Sequence, residues 1–344
     1  MFRSVAPYIP PVATAAILGT LAIHEFDHLA PENLKVHLQP LLGRRREPPP
    51  DFAGDATPQT GVFAGNDRHY SAVLVLQAAP SAERRGVARS AAKACLKWSD
   101  KDVDVSLGLG PRIWDAVKGH VPLGNVAANS ADFKLKDRSG EKTSTKIANT
   151  GGDILVHVKA DSQGKCVEVV RSVLQEFHGT PLAWSEDLYG HKEEHVPTPM
   201  CPTTSTWANS AANLCRMACV PKVGSSYALF QKWEDDATML KGKAKPVSNH
   251  SERMRGMDQE GNKLAIVKHT MRTGRLGTRL NDDKAGMLFV AYSADPRIFD
   301  YMLDRMVGKR GGVEDNTLQL SKCTRAQLFY VPSQAQVNAL GAVH

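Results

Sequence analysis

The order of apolar segments between residues 70 and 177 constrains the fold most strongly. The run YSAVLVLQAAP from Tyr70 is short, apolar and rich in β-branched residues, which is typical of a buried strand. The following segment repeats its apolar residues at helical spacing, and we expect Ser81 to cap that helix. Three further stretches predict a strand with a helix start at Pro111, a second strand and a second helix: VDVSLGLGPRIWDAV, GGDILVHVKA and SQGKCVEVVRSVLQEF. This order is that of a split β-α-β, ferredoxin-like unit.

A similar order returns in the second half of the chain. SSYALFQKWE and GMLFVAYSADP predict strands, RIFDYMLDRMVG predicts an amphipathic helix, and AQLFYVPS predicts a closing strand. The sequence therefore predicts an α+β protein of two tandem ferredoxin-like domains, each with a four-stranded antiparallel sheet and helices. We place the first domain at residues 69–180 and the second at residues 181–344.

The amino-terminal region has a different composition. Ser4 to Ile23 contains no charged side chain, and these 20 residues are just enough to cross a bilayer. A cleavable targeting signal, a retained membrane anchor and a segment that packs on a partner are the alternatives. We expect residues 1–24 to be a retained apolar segment, anchored in a membrane or embedded in a partner, and residues 25–68 to be a proline-rich tether.

Charge and cysteine content exclude some functions. The net charge of +7 favours contact with anionic surfaces. The basic residues are scattered and no nucleic-acid motif is present, so we expect no nucleic-acid partner. Six cysteines in a chain of 344 residues do not indicate a disulfide scaffold. Cys215 and Cys219 could bind a metal only with further ligands such as Cys201, and packing as small hydrophobic side chains is favoured.

Four stretches occur in an order that resembles one known family. They are LGLGPRIWD at 107–115, GGDILVHVKAD at 151–161, GMLFVAYSADP at 286–296 and DNTLQLSKCTRAQLFYVPS at 315–333. Over roughly residues 70–333 the chain resembles the dye-decolorising, or DyP-type, haem peroxidases. The resemblance implies a haem protein built from two ferredoxin-like domains, with the haem in the second.

The resemblance also implies a distal pocket, and here the sequence departs from the family. The family's G-x-x-D-G loop matches GHKEE, in which Gly190 is kept, Glu193 replaces the aspartate and Glu194 replaces the second glycine. Lys268 stands where the family has an arginine, although Arg272 or Arg275 could take its place. Peroxide heterolysis needs a proton-transferring group and a fixed cation, and lysine lacks the planar fork of arginine. Glu193 and Lys268 are therefore the candidate catalytic residues, at altered positions.

The proximal side of the implied site keeps the family's residue types. His250 in NHSERMR resembles the histidine that ligates haem iron, and Arg253 resembles an arginine that binds a propionate. Asp315 lies where the family keeps an acid that accepts a hydrogen bond from the ligating imidazole. The resemblance thus makes His250, Arg253 and Asp315 the candidate haem-binding residues.

Three functions fit this pattern. The first is a DyP-type-peroxidase-like, non-catalytic accessory subunit of a mitochondrial inner-membrane complex, still able to bind haem. Its partners would be protein subunits, with membrane contact through residues 4–23. The second is an active haem peroxidase that uses hydrogen peroxide to oxidise an organic reductant. The third is a haem-binding or haem-carrying protein without turnover. A homo-oligomer is compatible with each of them.

Overall fold

The structure is a computed structural model that describes residues 52, 54–64, 68–99, 102–121, 129–140, 145–192, 211–235, 266–273, 286–315 and 317–342. Within these ranges no helix combines the length and the apolar character that a membrane crossing requires. The predicted anchor at residues 4–23 lies outside the described residues, so the anchor stays a prediction.

The first half of the described chain contains six strands and four helices. In chain order they are α1 (Thr60–Phe63), β1 (Tyr70–Ala78), α2 (Arg84–Leu96), β2 (Asp104–Leu109), α3 (Pro111–Val117), β3 (Arg138–Ser139), β4 (Lys146–Ile147), β5 (Ile154–Ala160), α4 (Gln163–Glu176) and β6 (Leu182–His191). Short 3-10 helices span Gly54–Ala56, Lys118–His120 and Ser130–Phe133.

The second half repeats the alternation of strands and helices. Its elements are α5 (Ala211–Ala218), β7 (Ser226–Asp235), β8 (Val267–Thr273), β9 (Gly286–Ser293), α6 (Arg297–Met306), α7 (Thr317–Leu320), β10 (Ser321–Val331) and α8 (Gln334–Ala342). The predicted strands and helices of both halves are therefore present.

Eight of the strands form one closed barrel in the order β1-β5-β2-β10-β7-β9-β8-β6. Within it, β6-β1-β5-β2 and β10-β7-β9-β8 each have the strand order of a ferredoxin-like sheet, and all their pairings are antiparallel. Each seam between the two sheets has one residue pair, Tyr330 with Leu109 and His191 with Arg272. The two tandem ferredoxin-like units predicted from the sequence are confirmed.

Alternate residues of the strands face two separate cores. Val73, Val75 and Leu155 belong to the cluster inside the barrel, whereas Leu74 and Val156 belong to the cluster beneath the helices. Because successive side chains of a strand point to opposite faces, strands such as β1, β2 and β5 are buried on both faces. This double burial explains why the strands read as continuous apolar runs rather than as alternating ones.

Two local predictions are wrong. The cap of α2 is Glu83 rather than Ser81, and its carboxylate accepts hydrogen bonds from the backbone N–H groups of Arg85 and Gly86. Glutamate can fill this position because a cap needs a side-chain acceptor at the right place on the backbone. Gly190 and His191, which the resemblance assigned to a loop, belong to β6 together with the preceding charged residues. Its charged residues are tolerated in the strand because Glu186 pairs with Lys232 and Arg325 at distances of 2.9 and 2.8 Å.

Gly190 lies where β6 approaches β8 at the seam. A Cβ atom added there would lie 2.5 Å from the Met271 Cβ and 3.1 Å from the Arg272 carbonyl oxygen. The seam therefore requires a residue without a side chain at this position. This packing accounts for the glycine that the sequence comparison assigned to a loop motif.

We predict that Gly190→Ala lowers the free energy of unfolding by about 1–3 kcal/mol, because the added methyl group overpacks the seam. The matched control is Gly164→Ala in α4, where an added Cβ meets no heavy atom within 4 Å; it should leave stability unchanged or raise it by up to about 1 kcal/mol. Urea unfolding of both variants measures the difference. Equal stability of the two variants would contradict the packing role of Gly190.

Candidate functional site

The candidate site is the helix-facing side of the second sheet, opposite the barrel interior. On β8 the buried residues Val267, His269 and Met271 alternate with the partly exposed Lys268, Thr270 and Arg272. Val267 belongs to the core inside the barrel, so the alternation places Lys268 and Thr270 on the other side. One strip of this face crosses three strands, since Thr270 pairs with Phe289 and Phe289 pairs with Gln231.

Gln231 contributes a buried polar group to this strip. Its side chain is 3% exposed, and its Oε1 accepts a long hydrogen bond of 3.4 Å from the Trp233 indole. Its Nε2 has no hydrogen-bond partner among the described residues. Because a buried donor without an acceptor is costly, this amide is suited to a ligand that carries an acceptor.

Arg272 is held at the end of the same strand. Its Nη1 lies 2.7 Å from the Asp235 Oδ2, and the two side chains are 23% and 11% exposed. Asp235 also accepts a hydrogen bond of 2.7 Å from the Ser321 hydroxyl. The carboxylate therefore fixes the guanidinium of Arg272 at the edge where β8, β7 and β10 come close.

Lys268 lies nearer the middle of the face. Its cross-strand neighbour on β9 is Ala291, a fully buried small residue, and Thr270 follows two positions along β8. The structure thus places the candidate catalytic lysine on the face that carries Thr270 and Phe289.

Asp315 is fixed between two helices. It is 2% exposed, and its backbone N–H donates to the Met306 carbonyl at the end of α6, over 2.9 Å. Its Oδ1 accepts from the backbone N–H and the hydroxyl of Thr317, at 3.0 and 2.9 Å, which begins α7. These bonds hold the Asp315 carboxylate in one orientation at the start of α7.

A cluster of polar side chains lies inside the barrel, and the sequence patterns did not predict it. The Tyr292 hydroxyl lies 2.7 Å from the His157 Nδ1 and 2.6 Å from the Ser106 hydroxyl. The His269 ring lies 5.5 Å from that of His157, also inside the barrel. Burial lowers the pKa of His157 well below its usual range, and the positive charge of Lys159 lowers it further. Both effects favour the neutral imidazole.

The cysteine pair in α5 has the character of a packed core. Cys215 and Cys219 are both fully buried, and the hydrogen bond of the Cys219 thiol to Cys215, together with burial, raises the pKa of Cys219. A raised pKa disfavours the thiolate that metal binding needs. In the described part of the chain no group of three or more His, Cys, Asp or Glu residues is suited to a metal ion. Cys201 lies outside that part.

Comparison with known proteins connects this geometry to one family. Residues 221–336 match the sequence model described as Dyp-type peroxidase, C-terminal. Curated dye-decolorizing peroxidases from Mycobacterium tuberculosis and Brevibacterium linens are 26% and 25% identical over 219 and 213 residues, which are 54% of this chain and 62% and 57% of the relatives. This chain is similar to the DyP-type peroxidases, whose C-terminal family model matches its residues 221–336.

Solved structures of the family share the fold. A DypB variant from Rhodococcus jostii in complex with heme superimposes with a TM-score of 0.67 at 20% identity, covering 85% of this chain and 100% of that one. A dye-decolorizing protein from V. cholerae gives 0.63 at 18% identity, with 80% and 98% covered. The matches to the curated relatives span about three fifths of their length.

Two of the five candidate residues lie in the part of the chain that the structure describes. Lys268 lies on the helix-facing side of the second sheet, and Asp315 lies at the junction of α6 and α7. Glu193, His250 and Arg253 lie outside the described residues, so their roles stay predictions.

We predict that Asp315→Ala lowers the free energy of unfolding by about 1–2 kcal/mol, because the N–H and hydroxyl of Thr317 lose their acceptor. Asp315→Asn keeps an Oδ1 acceptor and should cost less than half as much. Thermal unfolding of both variants separates the two contributions. An equal loss in both would show that the negative charge, rather than the hydrogen bonds to Thr317, holds this junction.

Proposed function

We propose that this DyP-type family member binds haem on the helix-facing side of its second sheet and cleaves peroxide poorly. The DypB structures that share the fold are complexes with heme. In this chain the helix-facing side of the second sheet carries the partly buried Phe289, the buried amide donor of Gln231 and the cation of Lys268. An apolar surface with a few polar groups suits a large, flat, partly anionic cofactor.

The residues available to hold haem fit its chemistry. His250 would bind the iron, Arg253 would bind a propionate, and Asp315 would accept a hydrogen bond from the imidazole. Asp315 suits this role because it is a buried carboxylate that its bonds to Thr317 hold in place. Such an acceptor fixes the orientation of the imidazole and makes it a better ligand. Haem would supply the iron at which peroxide binds.

Poor peroxide cleavage is supported chiefly by the ion pair of Arg272 with Asp235. Of the alternatives to Lys268 as distal cation, Arg272 is held by a carboxylate 2.7 Å away, and moving it would break that partly buried pair. Lys268 offers one compact charge in place of a rigid planar fork. Stabilisation of the departing oxygen by a fixed cation is therefore weaker than an arginine would provide.

We predict that Lys268→Arg raises the second-order rate constant for reaction of the haem-loaded protein with hydrogen peroxide, by up to about a hundredfold, the magnitude associated with one stabilising donor. The measurement is stopped-flow absorption in the Soret region. The matched control is Lys232→Arg on β7, whose Nζ lies 2.9 Å from the Glu186 carboxylate and which points away from the site; it should not change the rate.

Two outcomes would contradict the proposal. Absence of a Soret band after haem addition to the full chain would remove haem binding. If Lys268→Arg left the rate constant for reaction with hydrogen peroxide unchanged, the distal cation would not limit the reaction. That result would favour an active peroxidase that uses other groups.

The partners and location are a further part of the proposal. We propose that the chain is a subunit of a larger mitochondrial membrane complex, supported by the apolar stretch from Ser4 to Ile23 and the net charge of +7. Deletion of residues 1–23 should release the chain from membranes at neutral pH and abolish co-purification of protein subunits. Unchanged membrane retention and unchanged co-purification would contradict it.

A further inference from the structure

The barrel interior contains a chain of four hydrogen-bonded side chains. Ser106 on β2 contacts the Tyr292 hydroxyl on β9 at 2.6 Å, and Tyr292 contacts the His157 Nδ1 on β5 at 2.7 Å. The His157 Nε2 in turn lies 3.0 Å from the Ser71 hydroxyl on β1. All four residues are at most 2% exposed, so the chain crosses the barrel from the second sheet to the first without access to water.

The directions of these hydrogen bonds follow from the residue types. Burial and Lys159 keep His157 neutral, so one ring nitrogen donates and the other accepts. If the Nε2–H donates to Ser71, then the Nδ1 accepts from the Tyr292 hydroxyl, and the Ser106 hydroxyl donates to the Tyr292 oxygen. This assignment satisfies the Tyr292 hydroxyl as both donor and acceptor.

Other groups face this chain of hydrogen bonds. The His269 ring lies 5.6 Å from Tyr292 and 5.5 Å from His157, and the Lys159 ammonium donates to the Ala64 carbonyl at 2.6 Å. Burial and the charge of Lys159 lower the pKa of His269 as well. The Tyr292 phenol is therefore next to a neutral base, and none of its hydrogen bonds within the described residues involves a carboxylate.

From this geometry we propose that Tyr292 is a redox-active tyrosine, which loses an electron to a one-electron oxidant while its hydroxyl proton moves to the His157 Nδ1. The products are a neutral phenoxyl radical and an imidazolium. An oxidised phenol is a far stronger acid than an imidazolium, so the transfer remains downhill even beside Lys159. A positioned base at hydrogen-bond distance makes such a proton transfer fast.

The position of Tyr292 suggests what would oxidise it. Tyr292 follows Ala291, and Ala291 pairs with Lys268 on the face proposed to bind haem. The natural oxidant would be haem treated with peroxide, and this choice of oxidant rests on the proposed function. The tyrosine would then hold one oxidising equivalent inside the barrel, protected from solvent.

A tyrosine with a purely structural role needs only a hydrogen-bond acceptor for its hydroxyl, not a base. Tyr330 is also a buried tyrosine, but its hydroxyl donates to the Gln336 Oε1 at 3.0 Å, and an amide oxygen is not a base. Tyr330 therefore serves as the matched comparison. Both tyrosines pack in the barrel wall, and only Tyr292 has an imidazole as its proton acceptor.

The test uses the full chain without added haem and a photochemically generated ruthenium(III) tris-bipyridine oxidant. Electron paramagnetic resonance should detect a long-lived phenoxyl radical that disappears in Tyr292→Phe and persists in Tyr330→Phe. In His157→Gln, which keeps a hydrogen-bond partner but removes the base, radical formation should be about a hundredfold slower. Circular dichroism verifies that each variant is folded.

Persistence of the same long-lived signal in Tyr292→Phe would overturn the proposal, and so would an unchanged rate of radical formation in folded His157→Gln. A second arm treats the haem-loaded chain with hydrogen peroxide. A radical in the photochemical arm that is missing in the peroxide arm supports the redox role of Tyr292 and counts against the proposed haem function. A radical in both arms supports the two together.

Discussion

Closure of two four-stranded sheets into one barrel is the constraint on which the rest of the structure depends. Each seam has one residue pair, so the sheets must approach closely with little hydrogen bonding to hold them. At one seam this approach is possible because Gly190 leaves space for the Met271 side chain. At the other, Gly108 on β2 allows its neighbours Phe329 and Leu155 to pack over the backbone, at 3.0 and 3.2 Å from where a Cβ would be.

Barrel closure also separates two chemical environments that share the same strands. On β8, His269 points into the barrel while Lys268 and Thr270 face the helices. On β9, Tyr292 points inward beside His157, and Phe289 faces outward. The interior holds neutral polar side chains beside the Lys159 ammonium, whereas the outer face holds Lys268 and the unsatisfied amide donor of Gln231. A shift of one residue in register would exchange these sets, so pairing register and function are linked.

The sequence predicted the order of elements because each strand and helix carries a strong local pattern. It could not predict the barrel, since strands buried on both faces show no alternation that would distinguish the interior from the helix-facing side. The contact between four polar side chains inside the barrel could not be predicted either, because the residues come from four strands far apart in the chain. They are Ser71, Ser106, His157 and Tyr292. The function of Lys268 was inferred from resemblance, and its strand alternation then placed it on the outer face.

The central claim is that haem lies on the outer face of the second sheet beneath a lysine, with the nearest described guanidinium on that strand held by Asp235. An experimental structure of the full chain loaded with haem tests this claim most directly. The account predicts haem against Phe289, with Lys268 above it and the Arg272–Asp235 pair intact. Haem bound elsewhere, or Arg272 detached from Asp235 and directed at the iron, would contradict it.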